Sequence, residues 1–209
     1  NSLFASLTMG YQDILYLTVS GRNDWASTLF QTGNYSYFYP SVSGSFIFSD
    51  LISSPSFLTF GKLRLSFAQV GNDADPYAVS QYYNYVTSFG SYPLQTTPDF
   101  LFNPDLKPEL TTEVETGLDL RFLKDRLGLN VTYYNRNTIN QIWNINIPSE
   151  TGYRQKVVNG GEIQNQGVEL SLSFDVFQTD NFQWRSQVNF SRNRNKVLNL
   201  NSTSDEVGG

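Results

Sequence analysis

The sequence predicts an all-β protein: an antiparallel up-and-down meander of about eight strands. Three observations carry that prediction. Apolar and polar residues alternate with a period of two almost everywhere, and no helical period competes with it. The connections sort by length, so that tight corners fall at one end of the meander and long loops at the other. Aromatic residues make up 15% of the 209 residues while charged residues make up 16%, well below the roughly 25% of an ordinary soluble domain.

The elements follow in order. Leu3, Ala5, Leu7, Met9 and Tyr11 alternate with Ser6, Thr8 and Gly10, and after a tight corner Leu15, Leu17 and Val19 alternate with Tyr16, Thr18 and Ser20. A polar stretch runs from Arg22 to about Ser36. Phe38, Val42, Phe46 and Phe48 then interleave with Tyr39, Ser41, Ser43 and Ser45. Past a connector at Ser53–Ser56, Leu63, Leu65 and Phe67 alternate with Lys62, Arg64 and Ser66. A connection rich in Tyr, Pro, Asn and Asp spans Gly71 to Leu110. Val114, Thr116, Leu118, Leu120 and Phe122 next oppose Glu113, Glu115, Gly117, Asp119 and Arg121. The corner Leu123-Lys124-Asp125 leads to Leu127, Leu129, Val131 and Tyr133, and a long stretch holds Trp143 and the turn Asn159-Gly160-Gly161. Val168 to Val176 and Phe182 to Phe190 supply the last two alternating runs.

Composition removes several functional classes. There is no Cys, hence no disulfide scaffold, thiolate metal site or Cys nucleophile. There is no His, hence no His-based triad or HExxH site. A net charge of −5 leaves no basic surface of nucleic-acid-binding size, so nucleic acid is not an expected partner. No apolar run approaches the ~18 residues of a transmembrane helix, but barrels cross membranes with alternating strands.

Alternation alone fits two architectures. A sandwich turns its apolar faces into a core; a membrane barrel turns them to lipid and its polar faces to a wet lumen. Loop sorting favours the barrel, because outer-membrane barrels have short periplasmic turns and long outer loops. So does aromatic placement: Tyr11, Phe122, Phe177 and Phe182 lie near the tight corners, and Tyr37, Phe38 and Tyr39 near the other end. The rival is a soluble or surface-attached carbohydrate-binding β-sandwich. A small closed eight-stranded barrel is a third possibility, distinguished by whether the strands near Leu3 and Phe190 pair.

Several motifs in a fixed order are also familiar. Gly21-Arg22-Asn23-Asp24-Trp25 with Ser27-Thr28-Leu29, Tyr37-Phe38-Tyr39-Pro40-Ser41, Leu63-Arg64-Leu65-Ser66 and Val70-Gly71-Asn72 are four of them. Asn103-Pro104-Asp105-Leu106-Lys107-Pro108-Glu109 followed by Thr111 to Asp119, then Thr151-Gly152-Tyr153, Asn159 to Ile163 and Asn165 to Leu170, complete the set. From Gly21 to Leu200 the chain resembles the SusC/RagA family of TonB-linked outer-membrane transporters. The resemblance implies a plugged barrel of about 22 strands in the outer membrane of a Gram-negative bacterium. It implies nutrient uptake of oligosaccharides or peptides, a SusD-like lipoprotein over the barrel, and energy from TonB. TonB box, plug and carboxypeptidase-like leading domain are absent from residues 1–209, and the chain ends Val207-Gly208-Gly209 rather than on a terminal aromatic. The expectation is therefore a single segment, 1–209, an interior slice of roughly a third of the barrel.

Site expectations are modest. Neither GxxxxGK[ST] nor GxSxG occurs, and no cofactor, metal site or catalytic residue is expected. Asn72-Asp73-Ala74-Asp75 has oxygen ligands at calcium-loop spacings but lacks the EF-hand offsets, so a solvated turn is the reading there. Glu113, Glu115 and Asp119 share a face; with Arg64 and Arg121 nearby they read as lumen-wall charges rather than an acid/base pair, and the expected enzyme class is none. The loops hold Tyr77, Tyr82, Tyr83, Tyr85, Phe89, Tyr92 and Trp143. Tyr82, Tyr83 and Trp143 are the candidate substrate contacts, because flat aromatic rings stack on sugars; the competing role is loop packing. The N-x-S/T triplets at Asn34, Asn130, Asn189 and Asn201 read as chance occurrences. Leu118, Leu120, Leu129, Leu170, Leu172 and Trp184 are expected to face lipid. Counting from Phe60 opposite Phe122 puts Lys62 near Arg121 and Arg64 near Asp119, with Arg121 leaning toward Asp119 or Glu115.

Overall fold

The computed structural model describes residues 1–33, 35–52, 57–76 and 78–200. Its strands in chain order are β1 (Ser2–Tyr11), β2 (Leu15–Trp25), β3 (Ser36–Ile47), β4 (Leu58–Asn72), β5 (Asn84–Phe89), β6 (Tyr92–Thr96), β7 (Phe100–Leu101), β8 (Glu109–Phe122), β9 (Leu127–Ile139), β10 (Ile142–Asn146), β11 (Gln155–Asn159), β12 (Glu162–Gln178) and β13 (Gln183–Asn199). Eight of them form one antiparallel sheet in the order β1-β2-β3-β4-β8-β9-β12-β13. Each long strand pairs with the next long strand in sequence, which is the expected meander. The five short strands lie in the connections, as the hairpin β5–β6 and the sheet β10-β11-β7. β1 and β13 are the two edges and do not pair with each other, so these eight strands do not close by themselves.

The tight corners gather at one end, and two of them are built on left-handed backbone. Gln12 and Asp13 both have positive φ (52° and 55°), and Ile14 N–H donates to the Tyr11 carbonyl at 3.0 Å. That is the left-handed turn whose twist matches paired strands. Leu123, Lys124 and Asp125 carry three successive positive φ values, 55°, 57° and 67°. Lys124 N–H is held by Thr59 Oγ1 at 3.0 Å. The corner after β12 closes through Thr179, whose N–H donates to the Phe182 carbonyl at 2.8 Å. The long connections 73–108 and 140–161 leave from the other end.

The sheet has one apolar and one polar face. On the apolar face Leu63 lies opposite Leu118, Leu118 opposite Val131, Leu120 opposite Leu129, and Leu129 opposite Leu172. Leu170 lies opposite both Val131 and Phe190. No second sheet among the described residues covers this face. Leu118, Leu120, Leu129, Leu170 and Leu172 are partly exposed, and Leu65, Val188, Phe190 and Trp184 are more than half exposed. The buried hydrophobic side chains lie elsewhere: Ala26, Leu29, Ala74, Ala78, Val79, Leu106 and Val157 form a cluster among the long connections. A sandwich requires the reverse distribution.

Near the tight corners the aromatic belt is present, with Phe57 stacked on Phe122 (centroids 6.0 Å apart) and Phe177 on Trp184 (6.2 Å). At the other end the expected belt needs correction. Phe38 is exposed on the apolar side, but Tyr37 packs against the loop cluster and Tyr39 is buried. The period of two, continued through β3, puts both tyrosines on the polar side.

Candidate functional site

The polar face of β4, β8 and β9 carries a connected charge cluster. Asp119 sits opposite Lys62 on one side and Asn130 on the other. It accepts from Lys62 Nζ (3.3 Å), Arg64 Nε (3.0 Å) and Asn130 Nδ2. Arg64 spreads its fork further, to Glu115 Oε1 at 3.4 Å and Thr132 Oγ1 at 3.3 Å. It can do so because its strand partner is Gly117: a Cβ there would lie 2.6 Å from a guanidinium nitrogen. Gly117 therefore lets the guanidinium lie flat across β8 between two carboxylates. Glu113 takes Arg136 at 2.7 Å one step along, and Asp175 takes Arg185 at 2.7 Å toward the corners. Apart from Asp175, whose side chain is covered, these groups are partly solvated, so their pairs are weak tethers and the face as a whole is a wettable charged wall.

The expected pairs are displaced by two residues along β8: Lys62 opposes Asp119 rather than Arg121, and Arg64 opposes Gly117 rather than Asp119. Arg121, not Phe122, lies opposite Phe60, because Thr59 is an extra residue between Leu58 and Phe60. Lys62 consequently opposes Asp119 directly, and Arg64 reaches Asp119 on the diagonal. Arg121 does not lean toward Asp119 or Glu115: its guanidinium lies 5.1 Å from the centroid of the Phe60 ring. A displacement of two residues keeps every side chain on its own face, because the side-chain period is two, so the residues share a face as expected but pair differently.

The long connections are bound into one assembly by pins that periodicity could not reveal. Leu106 and Leu29 have no exposed surface at all and anchor its core. Asn159 clasps the backbone of Lys107 from both sides: its Oδ1 accepts from Lys107 N–H at 2.8 Å and its Nδ2 donates to the Lys107 carbonyl at 2.7 Å. The same Nδ2 reaches the Asn140 carbonyl at 2.9 Å. Glu109 receives Asn72 Nδ2 on one oxygen and Ile142 N–H on the other, both at 3.0 Å. Asn103 Oδ1 accepts from Asp105 N–H at 3.0 Å, an Asx turn that aims Leu106 inward. The motif Asn103 to Glu109 is thus a strap. Ala74 of Asn72-Asp73-Ala74-Asp75 belongs to the same core, and among the described residues no three potential metal ligands of the His, Cys, Asp and Glu types come together.

The three candidate aromatic contacts separate. Tyr82 packs its ring 5.6 Å from Phe102, within the assembly. Trp143 lies over Gly161, where a Cβ would come within 2.5 Å of the indole, and its Nε1 donates to Gln141 at 3.1 Å. Tyr83 is 64% exposed, as are Tyr85 (77%) and Tyr92 (74%) on the β5–β6 hairpin. Tyr77, Asn34 and Asn201, and the connector 53–56, lie outside the described residues, as does the side chain of Phe89.

A one-sided amphipathic meander with tight turns at one end and a folded loop assembly at the other defines the wall of an outer-membrane β-barrel. The comparisons give the family. The model of the TonB dependent receptor-like β-barrel matches residues 1–208, and the chain belongs to that family, whose members are outer-membrane proteins of Gram-negative bacteria. It is 33% identical over 204 residues to TonB-dependent receptor P26 of Formosa agariphila, covering 95% of this chain and 20% of that protein. It is 30% identical over 152 residues to TonB-dependent receptor SusC of Bacteroides thetaiotaomicron, covering 69% and 15%. The RagAB peptide transporter superposes with a TM-score of 0.84 at 24% identity over 95% of this chain and 22% of the other, a likeness of fold. The chain spans about a fifth of the length of the first two Formosa relatives it matches. The family is one of transporters and receptors, and the sandwich alternative is not favoured.

Proposed function

We propose that this chain supplies part of the wall and outer loops of a larger closed barrel that imports oligosaccharides or peptides, without catalysing a reaction on them. The observation that carries this reading is the uncovered apolar face backed by a continuous charged face. The apolar side meets lipid, and Arg64, Glu115, Asp119 and Arg121 line a hydrated lumen that a polar solute can traverse. The free edges of β1 and β13 are where the remaining strands would pair. The segment as one unit, 1–209, would work with a TonB-engaging plug elsewhere in the protein and a SusD-like lipoprotein lid over the loop assembly. Of the aromatic candidates, exposure favours Tyr83 as the one that would touch solute, while Tyr82 and Trp143 would act chiefly by holding the loops that present it.

The test is uptake and binding by the intact receptor containing this chain. Glycan and peptide pools are offered to cells, and the solute taken up is recovered and analysed. The expected result is intact solute inside, with binding weakened at least several-fold by Tyr83→Ala. Recovery of cleaved solute, or unchanged binding by Tyr83→Ala beside lost binding by Trp143→Phe, would contradict the assignments.

A further inference from the structure

The eight long strands carry two populations of cations. Arg22, Lys62, Arg64, Arg136 and Arg185 on the polar face each pair with a carboxylate, and Arg121 lies over a ring. Arg192, Arg194 and Lys196 of β13 are different. Their register partners on β12 are Val168, Gln166 and Gln164, and the next two pairs along are Leu170 with Phe190 and Leu172 with Val188. The period of two therefore places all three on the apolar face, in line with Phe190 and directly beyond it toward the long-loop end. All three are exposed, and none takes part in the ion pairs found among the described residues. β13 itself contains no acid. Glu162, the acid of β12 on this face, accepts from Asn137 Nδ2.

The surrounding surface changes character at the same level. Along the apolar face of β9 and β12, Val131, Leu170 and Val168 give way to Asn135, Asn137, Gln166 and Gln164. With the apolar face in lipid, this change marks the level at which hydrocarbon would give way to lipid head groups. Adjacent cations in the row are about 7 Å apart along the strand, so together they span about 13 Å of strand, or about 10 Å of depth at the usual tilt of about 40°.

We propose that Arg192, Arg194 and Lys196 form an outward-facing binding site for the phosphates of a phosphorylated glycolipid in the outer leaflet. The charge is complementary, a guanidinium fork matches phosphate oxygens bidentately, and the Gln and Asn amides beside it supply neutral donors for sugar hydroxyls. Cations on the lipid side of a barrel would otherwise oppose insertion; at head-group depth an anionic surface makes them favourable. The proposal rests on the apolar face lying in lipid.

The test uses the intact receptor, purified in mild detergent, stripped of lipid and titrated with lipid A while bound lipid is counted by native mass spectrometry. Wild type should bind bisphosphorylated lipid A at least tenfold more tightly than the triple variant Arg192→Gln/Arg194→Gln/Lys196→Gln. The two should bind dephosphorylated lipid A equally weakly, and millimolar inorganic phosphate should not displace the lipid. Wild type alone should lose affinity several-fold between low and high salt, a measurement independent of whether the variant folds. Equal binding by wild type and variant, indifference to the lipid phosphates, salt-independent binding, or displacement by inorganic phosphate would each overturn the proposal. A receptor soluble without detergent would instead overturn the membrane reading beneath it.

Discussion

The sheet and the loop assembly are held together by different physics. In the sheet, order comes from the backbone ladder and from alternation, and its apolar side chains stay partly exposed, with Leu118, Leu120, Leu129 and Leu170 side by side on one surface. In the loops, order comes from a small dry core around Leu29 and Leu106 and from side chains that grip backbone, Asn159 on Lys107 above all. The sheet therefore depends on its solvent being lipid, whereas the loops carry their own interior into water. A substitution that is severe in one region should be mild in the other.

Removing the loop core is the most disruptive way to separate the two. Leu106→Ala should destabilise the assembly by about 2–5 kcal/mol, the range for a fully buried leucine. Hydrogen exchange should show the amides of 73–108 and 140–161 opening while those of β8 and β9 stay protected. The converse experiment is Leu170→Arg on the apolar face, expected to cost about 2–4 kcal/mol at mid-membrane depth when folding into bilayers is measured, with loop protection unchanged. Asn159→Ala should be smaller, about 1–2 kcal/mol for the two bonds to Lys107, and should raise protease cleavage near Lys107 without altering barrel stability. The smallest effect belongs to the charged wall: a double-mutant cycle on Arg64 and Asp119 should return a coupling of about 0.2–1 kcal/mol that shrinks with salt.

This contrast also explains what was legible in the sequence. The wall was legible because period two is a local property: Leu118 and Leu120 against Asp119 and Arg121 declare their faces without knowledge of any partner. The partners were less so. Thr59 as a bulge has no signature in Leu58-Thr59-Phe60-Gly61, and it moved Phe60 from Phe122 to Arg121 and left Arg64 opposite Gly117. The loop pins were invisible to periodicity, since Leu106 is a lone leucine between polar residues and prolines, and Asn159 is one Asn among many. The resemblance marked both stretches without saying what they do. Their role follows from contacts across 52 residues of sequence. Tyr39 departs from its expected place for a related reason: its aromatic character suggests an interface belt, but its position in β3 sends it to the polar side, where its phenol lies against Gly71.

The most direct test is an accessibility scan along β8 of the intact receptor in bilayers. Single nitroxide labels at Glu115, Leu118, Asp119 and Leu120 are read by collision with lipid-soluble oxygen and with a water-soluble nickel chelate. A barrel wall requires alternation: labels at Leu118 and Leu120 collide with oxygen and are shielded from nickel, and labels at Glu115 and Asp119 do the opposite. Labels at Leu118 and Leu120 shielded from both reagents would reveal a packed protein core on that face and would contradict the barrel wall.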